Sequence, residues 1–140
     1  MLTCYDIAQR FVGMRETPGL ASTPMILAML RLDDASVADD ETPWCGAFAS
    51  FVAWLLRRPR SKSLAARSWL HVGRPIELED AVAGDDIVVF ERGAGGHVGF
   101  YAGRNKDGSV LILGGNQSDA VTIAAFPVAR LLGVRRLIDR

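Results

Sequence analysis

Cysteine is scarce in this chain of 140 residues: Cys4 and Cys45 are the only two. Two thiols build no disulfide framework, and neither belongs to a C-x-x-C pair, so metal-ligand spacing is absent. Histidine is equally scarce, at positions 71 and 97. A Cys45/His71/His97 metal site has no spacing to support it, and neither metal nor cofactor is expected. Charge of one sign is missing too. Sixteen Lys and Arg balance sixteen Asp and Glu, so global charge gives no reason to expect a nucleic-acid partner. The longest apolar run, Ala47 to Leu56, is about half of the ~20 residues a membrane span needs. No basic segment followed by an apolar run opens the chain, so synthesis in the cytoplasm without a signal peptide is expected. Internal repeats and low-complexity segments are absent. What remains is one soluble domain, 1–140, with enough apolar residues for a single core.

The chain is organised around Thr42-Pro43-Trp44-Cys45-Gly46-Ala47-Phe48-Ala49. Pro43 fixes the backbone ahead of a helix and cannot sit inside one. Beyond it, Cys45, Phe48, Ala49, Val52 and Leu56 recur along one helical face. Arg57-Arg58-Pro59 suits a helix end. Cys45 then stands at the positive end of a helix dipole, which favours thiolate. The alternative is a buried structural thiol, the commoner fate of free cysteine. Cys4 has that reading.

Other elements follow in order. Residues 3–13 read as an amphipathic helix, Thr17-Pro18-Gly19 as a turn, and Thr23-Pro24 as the cap and first position of a second helix. Asp33, Asp34, Asp39, Asp40 and Glu41 precede the cysteine; Arg57, Arg58, Arg60, Lys62 and Arg67 follow its helix. These are either two solvated loops or the rims of a cleft. Leu64 to Leu70 reads as a short helix that Gly73 and Pro75 break. Strands are expected at 86–92, 97–103, 109–114, 121–126 and 134–138, joined by Gly, Asn and Asp turns. Helices first and strands later predict an α+β fold, with the N-terminal helices on one face of an antiparallel sheet.

A four-residue loop Asn105-Lys106-Asp107-Gly108 would pair Arg104 with Ser109. That register sets Tyr101 opposite Ile112, Gly99 opposite Gly114 and His97 opposite Asn116. Opposed residues share a face, with Cβ atoms roughly 5 Å apart. Gly99 and Gly114 would then leave room for the Cys45 helix. Cys45, His97 and Asn116 thus compose a nucleophile, a base and an orienting amide. A thiol of pKa ~8.5 gains a thiolate by giving its proton to an imidazole, and the thiolate attacks an amide carbonyl. The imidazole protonates the leaving amine and later activates water. The Cys45 backbone N–H is a natural oxyanion donor.

Taken together, Asp40-Glu41-Thr42-Pro43-Trp44-Cys45-Gly46-Ala47-Phe48, Ala66-Arg67-Ser68-Trp69-Leu70, Gly84-Asp85-Asp86-Ile87-Val88-Val89-Phe90, Gly96-His97-Val98-Gly99-Phe100-Tyr101 and Gly114-Gly115-Asn116-Gln117-Ser118-Asp119 resemble a small phage and bacterial family of cell-wall cysteine peptidases. That family is related to CHAP and NlpC-type domains. The resemblance runs from about residue 5 to the C-terminus. It implies a papain-like fold, helices packed on a five- to six-stranded antiparallel sheet, and hydrolysis of a peptide or amide bond in peptidoglycan. Cys45 matches the nucleophile, His97 the base, and Asn116 the third polar residue. Where many CHAP domains carry a Glu shortly before that Asn, this chain has Gly114 and Gly115; Gln117 and Asp119 are the substitutes. A papain-type Gln upstream of the cysteine is also missing. Trp44, Ser68, Trp69 and Gln117 would line the groove, although Trp69 also reads as a core anchor. The partner implied is the peptidoglycan stem peptide, the agent a phage or prophage endolysin acting as a monomer at the wall after release. The alternatives are a secreted antibacterial toxin of the same chemistry, a non-catalytic module that binds wall peptides, and an acyltransferase.

Overall fold

Six antiparallel strands form one sheet, and the helices that precede most of them pack on one of its faces. The computed structural model describes residues 1–16, 23–36 and 43–139. The expected turn Thr17-Pro18-Gly19, and the acids Asp39, Asp40 and Glu41, lie outside the described residues. Helix α1 spans Cys4–Ala8 and runs on as a 3-10 turn, Gln9–Phe11. Its start is a capping box: the Asp6 N–H donates to Thr3 Oγ1 at 3.1 Å, and the Thr3 N–H to Asp6 Oδ2 at 2.8 Å. Helix α2 is Pro24–Asp33, with proline at its first position. The Thr23 hydroxyl, expected to cap it, instead donates to the Arg15 carbonyl at 2.7 Å. Helix α3 is Cys45–Leu55. The short helix expected next is a 3-10 segment, Ala66–His71. Among the described residues no helix is long and apolar enough to cross a membrane.

The strands are β1 Arg74–Ile76, β2 Asp86–Arg92, β3 Gly95–Arg104, β4 Val110–Gln117, β5 Ala120–Phe126 and β6 Leu131–Arg136, in the order β1-β6-β2-β3-β4-β5. The first was not expected, because Gly73 and Pro75 read as breakers. β1 lies on the edge of the sheet, where a proline leaves no ladder bond unmade. The β2–β3 turn is Gly93-Ala94, with Gly93 at φ 56°. Ser118 and Asp119 join β4 to β5 with φ 54° and 61°, both left-handed, as a two-residue type I′ turn requires.

The β3–β4 register is the part that positions the site. Tyr101 does stand opposite Ile112, as expected. A bulge at Gly103, φ 136°, then moves Arg104 from Ser109 to Val110. In the other direction pairing ends at Phe100 and Leu113, so the expected pairs Gly99–Gly114 and His97–Asn116 do not form. β4 carries a second irregularity between Gly114 and Gln117, where Asn116 takes φ 57°.

Both faces of the sheet are covered. Val89, Val98, Phe100 and Leu113 join the helices in the larger core; Val88, Phe90, Tyr101 and Ile112 form a smaller one on the far face, with Leu78 and Phe126 against it. That is why β2 is buried from Asp86 to Phe90 without alternation. The start of α3 presses into the sheet at Gly115, where an added Cβ would lie 2.6 Å from the Trp44 ring and 2.8 Å from Phe48 Cβ. The room expected at Gly99 and Gly114 is therefore supplied one residue further on. Ion pairs pin the outer elements. Arg60 pairs with Asp33, Arg58 with Asp85 at 3.3 Å, and Arg136 with Asp86 at 2.8 Å. The acids of the Gly84-Asp85-Asp86 motif are thus anchors: Asp85 also accepts the Cys4 N–H, at 3.0 Å.

The left-handed Asp119 gives a test of this hairpin. Asp119→Gly relieves a side-chain clash of about 1 kcal/mol, so urea denaturation should show a more stable protein by roughly that amount. A loss of stability would mean the turn has another shape.

Candidate active site

Cys45 is the first residue of α3, and three constraints hold it there. Pro43 precedes it, Trp44 is fully buried, and the Trp44 Nε1–H donates to Glu16 Oε1 at 2.6 Å. The thiol is 5 % exposed. Burial pushes its pKa up, while the backbone N–H of Val98, the Arg92 charge and the N–H groups of Gly46 and Cys45 itself favour the thiolate. Burial wins. The pull of the helix dipole toward thiolate, expected at this position, is outweighed: a half-charge at a helix end does not offset removal of the sulfur from water.

His97 stands on β3 beside Val98 and is fully buried. Its Nε2 lies 2.8 Å from Gln117 Oε1. Asn116, expected to make this contact, does not; its left-handed backbone forms the bulge that swings Gln117 onto the ring. Which way the Gln117 amide points follows from its other partners. Its Nε2 faces the Ile112 carbonyl at 3.3 Å, the Thr122 carbonyl at 2.9 Å and Thr122 Oγ1 at 3.0 Å. Two of these can only accept, so the amide nitrogen must be on that side and its oxygen on the ring. The neutral imidazole then carries its proton on Nε2, and Nδ1 keeps the basic lone pair. Gly114 makes the contact possible: an added Cβ there would stand 2.6 Å from Gln117 Oε1.

The thiol and the ring approach β3 from different sides. Val98 belongs to the core under the helices, with Cys45. His97 is paired across the strand with Phe90, of the far core. Phe126 stacks on the imidazole with centroids 4.9 Å apart and planes at 11°. Among the described residues His97 Nδ1 has no hydrogen-bond partner, so sulfur and imidazole are neighbours along the strand and are not hydrogen-bonded. Burial lowers the His97 pKa to about 4, opposed by the Gln117 bond and reinforced by Arg92. Both groups are therefore neutral at pH 7.

Other residues expected at the site divide. Ser68 is half-buried and is held by Ser61 Oγ, at 2.8 Å, and the Ala65 carbonyl, at 2.5 Å. Trp44 and Trp69 are fully buried, and Gln117 is 4 % exposed, so these three face the interior rather than a groove. Trp69 is the core anchor, and its Nε1 has no partner among the described residues. His71 is exposed, and among the described residues no cluster of His, Cys, Asp and Glu suits a metal ion. A cavity of about 530 Å³ lies at the other end of β2, between Thr3, Ile76, Asp86 and Arg136.

A cysteine on a helix start set against a histidine strand, with helices packed on a six-stranded antiparallel sheet, gives the chain an α+β papain-like fold. The architecture is similar to that of "NlpC1 from Trichomonas vaginalis", with a TM-score of 0.60 over 96 % of this chain and 42 % of that one, at 15 % sequence identity. The likeness is one of fold, and this chain spans less than half the length of that protein. No family model and no curated protein matches the sequence.

The buried histidine gives a pH test. Its folded pKa is about 4 against an ordinary 6.5, so between those values the unfolded chain binds a proton that the folded one does not. Stability should then fall on acidification through that window, by roughly 3 kcal/mol in all. Urea denaturation at pH 7 and at pH 4.5 should show a smaller fall for His97→Gln; equal falls would refute the buried neutral ring.

Proposed function

We propose that the protein is a peptidoglycan hydrolase that cleaves a peptide or amide bond through Cys45 and His97, with Gln117 as the orienting amide. The observation that carries the reading is the His97–Gln117 bond at 2.8 Å, which leaves the lone pair of Nδ1 as a base one residue from the strand amide that reaches the Cys45 sulfur. The NlpC-like fold supports the same chemistry. In the reaction, Nδ1 takes the thiol proton as sulfur bonds to the carbonyl carbon. The C–N bond breaks, the imidazolium returns the proton to the leaving amine, and a thioester remains. Water then gives its proton to Nδ1 and its oxygen to the acyl carbon, and the thiol is restored. The N–H groups of Cys45 and Gly46, open at the start of α3, would meet the oxyanion. Proton transfer requires Nδ1 and sulfur to close to hydrogen-bond distance, because a neutral pair must exchange its proton directly.

The kinship with CHAP domains, the wall stem peptide as substrate and the role of phage or prophage endolysin belong to this proposal, as does action at the wall after release. An antibacterial toxin would use the same site. One observation favours a different reading, a module that holds wall peptides without cutting them: the thiol and imidazole are not bonded, and both are buried.

Cleavage of isolated sacculi decides between them. Purified protein should release soluble fragments, and Cys45→Ala should abolish the release with an unchanged circular dichroism spectrum. Full release by Cys45→Ala, or none by the wild type, removes the hydrolase. Mass spectrometry of the fragments would identify the bond.

A further inference from the structure

The far end of α3 carries a surface that neither the core nor the reaction uses. The helix closes in a Schellman motif: the Arg58 N–H donates to the Ala53 carbonyl at 2.8 Å, and the Arg57 N–H to the Trp54 carbonyl at 3.0 Å. The left-handed position of such a motif favours glycine, whose missing Cβ avoids a clash. Here it is Arg57, at φ 56°. This arginine is exposed, and among the described residues its side chain has neither ion pair nor hydrogen bond. Its neighbours Arg58 and Arg60 are held by Asp85 and Asp33. Asp34, exposed at the end of α2, turns its carboxylate to Ser36.

Apolar side chains stand beside this free cation. Trp54 is 48 % exposed and Leu55 43 %, and the Trp54 ring rests on Phe51 with centroids 5.9 Å apart. Arg58 ties the helix end to the first residues of the chain, through Nη1 to the Leu56 carbonyl at 3.0 Å and Nη2 to the Leu2 carbonyl at 3.4 Å. That sets Leu2, also exposed, next to the same end. Trp54, Leu55, Arg57, Arg58 and Arg60 line one depression of about 440 Å³. An indole and leucines in water beside an unpaired guanidinium suit the boundary of a bilayer: the apolar groups enter the acyl region and the cation meets lipid phosphate. A soluble anionic polymer would use the cation and leave the indole in water. A two-fold contact with a second copy would bring two unpaired Arg57 charges together.

We propose that the far end of α3 is a docking surface for a bilayer that contains anionic phospholipid. Cys45 lies roughly 14 Å away, at the other end of the same helix, so docking leaves that end of the domain free. The surface does not depend on Cys45 being a nucleophile.

Trp44 and Trp69 are fully buried, so Trp54 is the tryptophan whose emission reports contact. With vesicles of equal parts phosphatidylglycerol and phosphatidylcholine, emission should shift to the blue and the protein should sediment with the lipid. Vesicles of phosphatidylcholine alone should bind about fivefold more weakly. Trp54→Ala should weaken sedimentation with the anionic vesicles about tenfold. Arg57→Gln should weaken it about fivefold. Arg57→Gly should do the same and also raise the urea midpoint, because glycine relieves the left-handed strain. A raised midpoint with unchanged lipid affinity would confine Arg57 to ending the helix and overturn the proposal, as would equal affinity for the two kinds of vesicle or no blue shift with either. A blue shift on concentrating the protein without lipid would assign the patch to a second copy, and one produced equally by soluble poly(glycerol phosphate) would assign it to an anionic polymer; either overturns the bilayer. Cys45→Ala should bind vesicles as the wild type does, which keeps this result apart from the fate of the hydrolase reading.

Discussion

The site depends on how one amide is held. Gln117 could in principle present either end of its carboxamide to the imidazole. Two backbone carbonyls, of Ile112 and Thr122, accept from its nitrogen and leave its oxygen for His97. A backbone acceptor does not titrate and does not rotate, so the tautomer of the ring is set by the main chain of β4 and β5. The rest follows from that arrangement. Gly114 must lack a side chain, Asn116 must turn left-handed, and the β4–β5 hairpin must return Thr122 to the correct level. The hairpin carries three non-glycine residues at positive φ within four positions, 116, 118 and 119. Such strain persists only where the surrounding structure imposes it, and it gathers at functional positions.

Burial is the second constraint. Helix α3 is inserted between the sheet and the other helices, and its first six residues are all buried. This fixes the nucleophile firmly, but it removes the sulfur from water and raises its pKa. The imidazole, enclosed by Phe126 and the sheet, is lowered for the same reason. Desolvation therefore sets a neutral thiol beside a neutral base. The local charges, helix dipole and Arg92 included, are smaller corrections to it. A neutral resting pair is compatible with base-assisted attack, in which the proton leaves sulfur as the bond to carbon forms.

Much of this fold was legible in the chain. Proline before Cys45, apolar spacing after it, and turn residues between alternating strands are local signals. They predicted α3, the α+β order and five of the six strands. β1 was missed because Pro75 argues against a strand, and only its place on the sheet edge makes it acceptable. The Tyr101–Ile112 pairing survived because the bulge before Gly103 offsets a loop one residue longer than the four expected. Four residues further along, the count failed. A bulge costs one residue of register, and neither Gly103 nor Asn116 declares itself a bulge outside its strand. The glutamine was visible as a substitute for the asparagine, but the role could not be assigned to it. Trp44 was misplaced in a groove, and Trp69 was left between groove and core, because the sequence shows that an aromatic is present, not which side of the backbone is solvent.

The chain alone determined the chemical parts: one nucleophilic residue type on a helix start, one imidazole on a strand, and polar amides near the end of the next. It also determined their order and the class of fold that holds them, because helical and strand periodicities are written in neighbouring residues. Only the tertiary structure decided which amide meets the ring, which glycine admits the helix, and which protonation states burial imposes. These are relations between segments far apart in sequence. Each is settled by one residue of register or by the exclusion of water, and neither quantity exists until the sheet has closed against the helices.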